Sequence, residues 1–316
     1  MNDFGGGDRL IFIAGAPRSG TTLVQNMVDC HPQIYAGPEF GRIPNIIALR
    51  RALAGSVKRG RIDDFCNLSD IDEAIGSLIE RLLLPAAERN RCRYMCEKTP
   101  WNILAFPDLL SILPKARFVH VVRDPRAVVA SMLEVGRRSD RLNLPAPDFT
   151  RDIGLAVRYV ETCFNIGARI QQEEPNRVYV LKFEDWVSDP EVQSRKLCGF
   201  IGVDWDQSML YPADQDHAAE KSLSGNWYSK EDYRRNPDNS DLEKWRRSLR
   251  PTQVALIDGV FRKHVAVISQ GYCFDLNHLS VYSRIVAASR LWWIRKRTGC
   301  RNLPLRILGG HGSRVE

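Results

Sequence analysis

Residues 15–22 read GAPRSGTT and follow directly on the apolar run LIFIA at 10–14. Gly15, four residues and Gly20 reproduce the glycine spacing of a phosphate loop, GxxxxGK[ST], but Thr21 stands where that pattern has lysine. Glycines there permit the positive-φ backbone that turns successive N–H groups toward an anion. A helix starting near Thr21 adds its N-terminal dipole. Arg18 offers a planar fork suited to phosphate or sulfate, and Ser19, Thr21 and Thr22 offer hydroxyl donors. The missing lysine, with no second acid placed for magnesium, argues against an ATPase. A glycine turn that merely joins strand to helix is the bland alternative. The placement between an apolar strand and an amphipathic helix favours an anion site.

A second basic turn lies in VVRDPRAVVASM (121–132), with Arg123 and Arg126 at a strand end and Ser131 further along the following helix. Ligands of open parallel sheets bind at the carboxyl ends of the strands, so both turns belong to one edge. Two anion-binding turns on one edge fit a nucleotide with phosphates at both ends of its ribose, such as adenosine 3′-phosphate 5′-phosphosulfate.

The elements that must position these residues are legible as alternation. Four nearly continuous apolar runs, at 10–16, 92–98, 117–124 and 177–185, read as buried parallel strands. Helical spacing marks 21–29, ended by His31-Pro32, then 71–84, 103–113, 127–133 and 153–172. In the second of these, Ile75, Leu78, Ile79 and Leu82 fall at helical spacing, and in the last, Val157, Val160, Phe164 and Ile170 do. The pattern predicts an α/β fold, a central parallel sheet flanked by helices. Residues 136–148, with charges and two prolines, read as a surface loop. Residues 212–240, polar and carrying Trp227, Tyr228 and Tyr233, read as a long functional loop.

Bulk properties narrow the class. The 316 residues are 44% hydrophobic and 26% charged, as in a soluble globular protein. No run approaches the ~18 apolar residues of a membrane span, and the acidic, glycine-rich start does not read as a signal peptide, so a cytoplasmic location is expected. The eight cysteines are spread along the chain; Cys92 and Cys96, in CRYMC, do not complete a zinc pattern, and reduced thiols are the expectation. The formal charge of +7 resides in the last stretch, because residues 276–316 hold eight basic residues and one acid, Glu316, which leaves 1–275 neutral.

At this point the chain resembles the sulfotransferases that use adenosine 3′-phosphate 5′-phosphosulfate (3′-phosphoadenosine 5′-phosphosulfate, PAPS), the tyrosylprotein sulfotransferases in particular. The resemblance rests on APRSGTTLVQNMVDCHP (16–32), GPEFGRIPNII (37–47), CEKTPWNILAF (96–106), FVHVVRDPRAVVASM (118–132) and LEKW (242–245), in order over roughly residues 10–275. It implies a single P-loop-like domain over 1–275 with a basic extension over 276–316. The implied chemistry is metal-free transfer of a sulfuryl group to a hydroxyl, with a tyrosine-bearing peptide or protein as acceptor.

By the same resemblance, Arg18, Ser19, Gly20, Thr21 and Thr22 hold the 5′-phosphosulfate, Arg123 and Ser131 hold the 3′-phosphate, and Lys244 helps to bind the donor. Lys98 meets the charge that develops on the leaving group, Ser229 contacts the same group, and Glu39 is the general base. Arg42, Ile43 and Pro44 fall in the segment that grips the acceptor. Four positions depart from the family pattern. Val135 stands where a basic residue contacts the 3′-phosphate, leaving Arg137 or Arg138 as substitutes. Phe183 replaces a donor-contacting tyrosine. GRIPN (41–45) keeps one of two arginines, and Ala36 replaces a cysteine that pairs with the counterpart of Cys96. With no membrane anchor read, these point to a soluble, bacterial relative.

His120 and the methionines read as core, and Asp124 and Asp185 as turn or cap residues. A carbohydrate or small-molecule acceptor is the same-chemistry alternative, and a non-catalytic nucleotide-binding protein the alternative of another class. The tail, with Trp292 and Trp293 beside Arg295, Lys296 and Arg297, reads first as a packed C-terminal helix and second as a peripheral membrane contact. Nucleic-acid binding ranks below both, and a homodimer is left open.

Overall fold

The computed structural model describes residues 6–218, 220, 225–228, 233, 235–240 and 242–275, with isolated positions 280, 283, 285 and 289. Five strands form one parallel sheet: β1 (Leu10–Gly15), β2 (Ile34–Tyr35), β3 (Tyr94–Lys98), β4 (Arg117–Val122) and β5 (Val178–Lys182), in the order β2-β3-β1-β4-β5. β1 is central, and its six residues are all buried. Successive side chains of a strand face opposite ways. Accordingly Leu10, Phe12 and Ala14 join one core layer and Ile11 and Ile13 the other. In the first layer Phe12 stacks on Phe118, centroids 5.4 Å apart. In the second, Trp186 is fully buried and donates its indole N–H to Met27 Sδ at 2.9 Å.

Helices α1 (Thr21–Asp29), α2 (Ile43–Val57), α3 (Leu68–Arg89), α4 (Phe106–Ile112), α5 (Pro125–Leu142), α6 (Ile153–Glu173), α7 (Phe183–Ser188) and α8 (Pro190–Ile201) connect and cover the strands. A further helix, Pro251–Phe261, packs on α5 and α6. All strands point the same way, so Gly15, Tyr35, Lys98, Val122 and Lys182 end along one edge of the sheet. The chain leaves β1 toward β2 on one side of the sheet and leaves β4 toward β5 on the other, so β1 and β4 flank the switch point where open α/β sheets bind ligands.

The α/β alternation matches the sequence reading, with several corrections. The helix expected at 127–133 continues to Leu142, so residues 136–142 are not loop. Gly136 does not break it: a Cβ there would lie 2.2 Å from Thr150 O, and the glycine lets α5 approach that carbonyl. Asn143, left-handed at φ 52°, ends the helix. The strand expected at 177–185 is β5, which stops at Lys182, and residues 183–185 open α7 instead. The helix expected at 103–113 divides into a 3-10 turn, Pro100–Leu104, and α4. On α3 the buried stripe is Ile71, Ile75, Ile79 and Leu83, while Leu78 and Leu82 face solvent. Glu80 takes the buried place beside that stripe and accepts the Gly7 N–H at 2.6 Å.

His120 is a core residue as expected: it packs against Phe164, and a Cβ on Gly167 would lie 1.9 Å from its ring. Burial pushes its pKa down to about 4. The seven cysteines among the described residues are free thiols. No helix among the described residues is long and apolar enough to cross a membrane. The expectations for the tail fall almost wholly on residues outside the described ones.

Candidate active site

The loop between β1 and α1 is built as its glycines demand. Gly20 has φ 100°, Arg18 φ 74°, and a Cβ on Gly20 would lie 2.1 Å from Phe183 Cδ2. Gly15 is equally constrained, because a Cβ there would meet Val121 O at 2.3 Å and Ser19 Oγ at 2.9 Å. Thr21 opens α1, and its first turn carries no acidic residue to occupy the helix dipole. Ser19 is buried and its hydroxyl has no hydrogen-bond partner. A buried hydroxyl left unmatched at a helix N-terminus suits a ligand that accepts it.

Arg18 reaches across the sheet edge. Its Nε donates to Ser131 Oγ of α5 at 2.9 Å and its Nη1 to Trp227 O at 2.7 Å, while its guanidinium lies 4.4 Å over the Tyr228 ring. Arg123, one residue past β4, stacks 4.4 Å over Phe183, and its buried Nε has no partner. Burial pushes the pKa of Arg123 down. Glu184 works the other way, while the neighbouring Arg18 and Arg235 guanidiniums lower it further. Like charges gathered at this spacing repel, and a bound polyanion would relieve them.

These groups line one open cavity of about 170 Å³, with Arg18, Gly20, Thr22, Arg123, Ser131 and Lys244 on its wall. Arg138, Arg235 and Glu134 complete its charged lining, five cations against one acid. The structure separates the two substitutes for Val135, which is itself buried. Arg138 lines the cavity, whereas Arg137 is exposed, does not line it, and pairs with Glu134 at 2.7 Å. Two core residues hold α5 in place beneath this wall. Asp124 caps it from the Arg126 N–H at 2.8 Å, and Arg126 lies between Trp245 and Phe274 at 4.4 and 4.8 Å.

Beside the cavity lies the second cluster. Lys98, the last residue of β3 and only 2% exposed, places Nζ 2.5 Å from Glu39 Oε1 and 3.3 Å from Thr22 Oγ1. Thr22 Oγ1 in turn meets the Tyr228 hydroxyl at 2.8 Å. Burial works against the Lys98 ammonium. Glu39, Tyr228 and Glu97 outweigh it and hold its pKa above the ordinary lysine value. A contact path therefore runs from Glu39 through Lys98, Thr22 and Tyr228 to Arg18.

Of the residues singled out in the sequence, Arg18, Ser19, Gly20, Thr21, Thr22, Glu39, Lys98, Arg123, Ser131 and Lys244 gather on this edge. Arg42 is exposed at the start of α2, while Ile43 and Pro44 are buried in its first turn. Ser229 lies outside the described residues. Tyr228 was named in the sequence only as one aromatic of the functional loop 212–240, with no role assigned, and Arg235 was not named. Gln25 and Glu97, which hold the segment around Glu39, left no such signal, because each sits inside a helical or strand run.

Comparison with known proteins agrees with this geometry. The sulfotransferase family profile matches residues 10–207. Protein-tyrosine sulfotransferase 2 of Gallus gallus is 31% identical over 207 residues, covering 64% of this chain and 53% of that protein. Protein-tyrosine sulfotransferase A of Caenorhabditis elegans is 30% identical over 257 residues, covering 79% of this chain and 64% of that protein. The chain thus spans about half to two thirds of the length of these relatives. The sulfotransferase domain of the Synechococcus PCC 7002 olefin synthase superposes with a TM-score of 0.54 at 20% identity, over 89% of this chain and 94% of that one, and shares the fold. A family match across most of the chain shows that the chain belongs to the sulfotransferase family.

Proposed function

We propose that the chain transfers a sulfuryl group from PAPS to a hydroxyl acceptor, with peptide or protein tyrosine as the leading acceptor. The observation that carries this reading is the Lys98 ammonium, which touches both Glu39 and Thr22 of the phosphate loop. It puts a proton acceptor, a cation and an anion-binding loop in one contact chain.

In this reading the backbone of the loop, with Arg18, Ser19, Gly20, Thr21 and Thr22, takes the 5′-phosphosulfate. Arg123, Ser131 and Arg138 take the 3′-phosphate, and Lys244 lines the donor cavity between them. Ser19 Oγ and Arg123 Nε, buried polar atoms with no hydrogen-bond partner in the protein, leave donors that such a ligand would satisfy. Lys98 meets the negative charge that grows on the leaving phosphate as the S–O bond breaks. Ser229 is assigned to the same group on the family pattern.

Glu39 receives the acceptor proton. A tyrosine hydroxyl of ordinary pKa about 10 is not ionised outright by a carboxylate of ordinary pKa about 4.3, so the proton moves late, as the new O–S bond forms. Arg42 is exposed beside Glu39 and suits an acidic residue near the target hydroxyl. A cytoplasmic location belongs to the same reading and rests on the free thiols of the seven described cysteines, which suit a reducing compartment. Incubation with labelled donor and panels of tyrosine peptides and glycans tests the assignment. Label on tyrosine peptides supports it; label on glycans alone moves the acceptor class and keeps the donor site.

A further inference from the structure

Glu97 and Lys98 are neighbours at the end of β3, and their side chains leave on opposite faces of the sheet. Lys98 goes to Glu39 and Thr22, as described. Glu97, only 1% exposed, goes to the other face and meets the segment that carries Glu39. Its Oε1 accepts the Phe40 N–H at 3.2 Å and the Thr99 hydroxyl at 2.5 Å, and its Oε2 accepts Asn102 Nδ2 at 2.5 Å. Thr99 Oγ1 also accepts the Gly41 N–H at 3.3 Å. From the side of α1, Gln25 Nε2 donates to Gly37 O at 2.5 Å and to Ala36 O at 3.4 Å. Segment 36–41 is therefore fixed on both sides of Glu39, by Gln25 before it and by Glu97 and Thr99 after it.

Burying a carboxylate is costly, and a well-packed apolar residue at position 97 would be the cheaper way to fill the space. Burial accordingly pushes the pKa of Glu97 up to about 7, with Thr99 opposing through its hydrogen bond. What the carboxylate supplies, and an apolar residue could not, is an acceptor for a backbone N–H adjacent to Glu39.

We propose that Glu97 is a positioning residue: together with Thr99 and Gln25 it clamps segment 36–41 so that the Glu39 carboxylate stays over Lys98 and in line with the donor loop. The inference rests on the assignment of Glu39 and Lys98 as base and cation. Glu97 touches neither substrate; it acts through the Phe40 amide.

The test compares Glu97→Ala, Glu97→Gln and wild-type protein in sulfuryl transfer, in binding of adenosine 3′,5′-bisphosphate, and in deuterium uptake of the peptide containing residues 36–41. Glu97→Ala should lower kcat by roughly 10–100-fold, the scale of a misplaced catalytic group. Bisphosphate affinity should stay at the wild-type value, and deuterium uptake at 36–41 should rise. Glu97→Gln should restore kcat and protection, because its carbonyl can accept from Phe40 and Thr99. Once the Asn102 amide turns over, its Oδ1, which has no partner at present, can accept from the glutamine amide in place of the Nδ2 donation to Glu97. A folded Glu97→Ala protein with wild-type kcat overturns the proposal. So does a Glu97→Gln protein as impaired as the alanine variant, or a kcat loss matched by equal loss of bisphosphate affinity, which marks a general structural role. Should Glu97→Ala fail to fold, Thr99→Val, which removes the Gly41 contact at nearly constant volume, gives the same comparison. A wild-type chain inactive on every acceptor would sink the proposed reaction, while the exchange measurement reads the clamp by itself.

Discussion

Lys98 Nζ stands 2.5 Å from Glu39 Oε1 and 3.3 Å from Thr22 Oγ1, so one buried ammonium touches both the Glu39 carboxylate and the loop between β1 and α1. Its position explains how the loop can lack the usual lysine. The cation is delivered from β3 rather than from the loop, and it is already paired with Glu39. In the proposed transfer, charge growing on a departing phosphate would give the ammonium a second anion to follow and loosen its hold on Glu39 as the acceptor proton moves.

Glu39→Gln should lower turnover by roughly 10²–10⁴-fold, the range for loss of a general base, while binding of adenosine 3′,5′-bisphosphate is largely kept. Transfer assays with labelled donor and calorimetry on the same preparation check both halves. Turnover near the wild-type rate would remove Glu39 from this role.

Arg18→Ala removes three contacts at once: Ser131 Oγ, Trp227 O and the Tyr228 ring. Hydrogen bonds to a charged group contribute about 1.5–3 kcal/mol each, so bisphosphate affinity should fall by about tenfold or more. Proteolysis should also open the chain near residues 225–228. Unchanged affinity would show that the guanidinium serves the fold and not the ligand.

Gly20→Ala combines a left-handed φ of 100° with overlap on Phe183 Cδ2. It should cost about 2–4 kcal/mol by urea unfolding. Phe183→Leu in that background should recover part of the loss, the overlap, and leave the backbone part. Full recovery would mean that the φ constraint is not felt; no recovery would mean that the ring can move aside.

His120 gives a pH dependence of defined sign. Its folded pKa of about 4 lies below the ordinary value of 6.5, so the unfolded chain binds the proton first as pH falls. Its neutral burial is fully in place above about pH 6.5, and stability is lost between there and pH 4, on the order of 3 kcal/mol in total. Glu97 and Asp258, with pKa values raised to about 7 by burial, slope the opposite way, because the folded chain holds their protons longer. The histidine contribution is therefore read as a difference. Urea midpoints of wild type and His120→Leu, compared at pH 7 and pH 5, should change by unequal amounts, with the wild type losing more. Parallel changes would refute the assignment.

The sheet was legible because its strands are buried on both faces and so read as unbroken apolar runs; β1 and β4 differ from expectation only at their ends. β2 escaped because two residues carry no period. The extent of α5 escaped because Gly136 and the charges after it look like a loop, and only the closeness of Thr150 O explains the glycine. The donor edge was legible because glycine spacing and arginines after strands are local signals. Contacts between segments were not: nothing in GAPRSGTT announces that Arg18 binds Ser131, or that a glutamate in CEKTP holds the amide beside Glu39.

Arg18 and Trp227 are 209 residues apart in the chain, and Thr22 and Tyr228 are 206 apart. The ribosome therefore makes one wall of the cavity near the start of synthesis and the other long after all five strands have emerged. The strand pairings of β1 span less of the chain, 85 residues from Leu10 to Met95 and 106 from Ile11 to Arg117, than these cavity contacts do. A nascent chain that has reached Leu210 has made the glycines, Arg18 and Lys98, while the Trp227 carbonyl that Arg18 binds is still to come. The ligand site is in this sense among the last parts the growing polypeptide completes, and a chain ending before residue 225 would lack both the Trp227–Tyr228 wall and the core helix Pro251–Phe261.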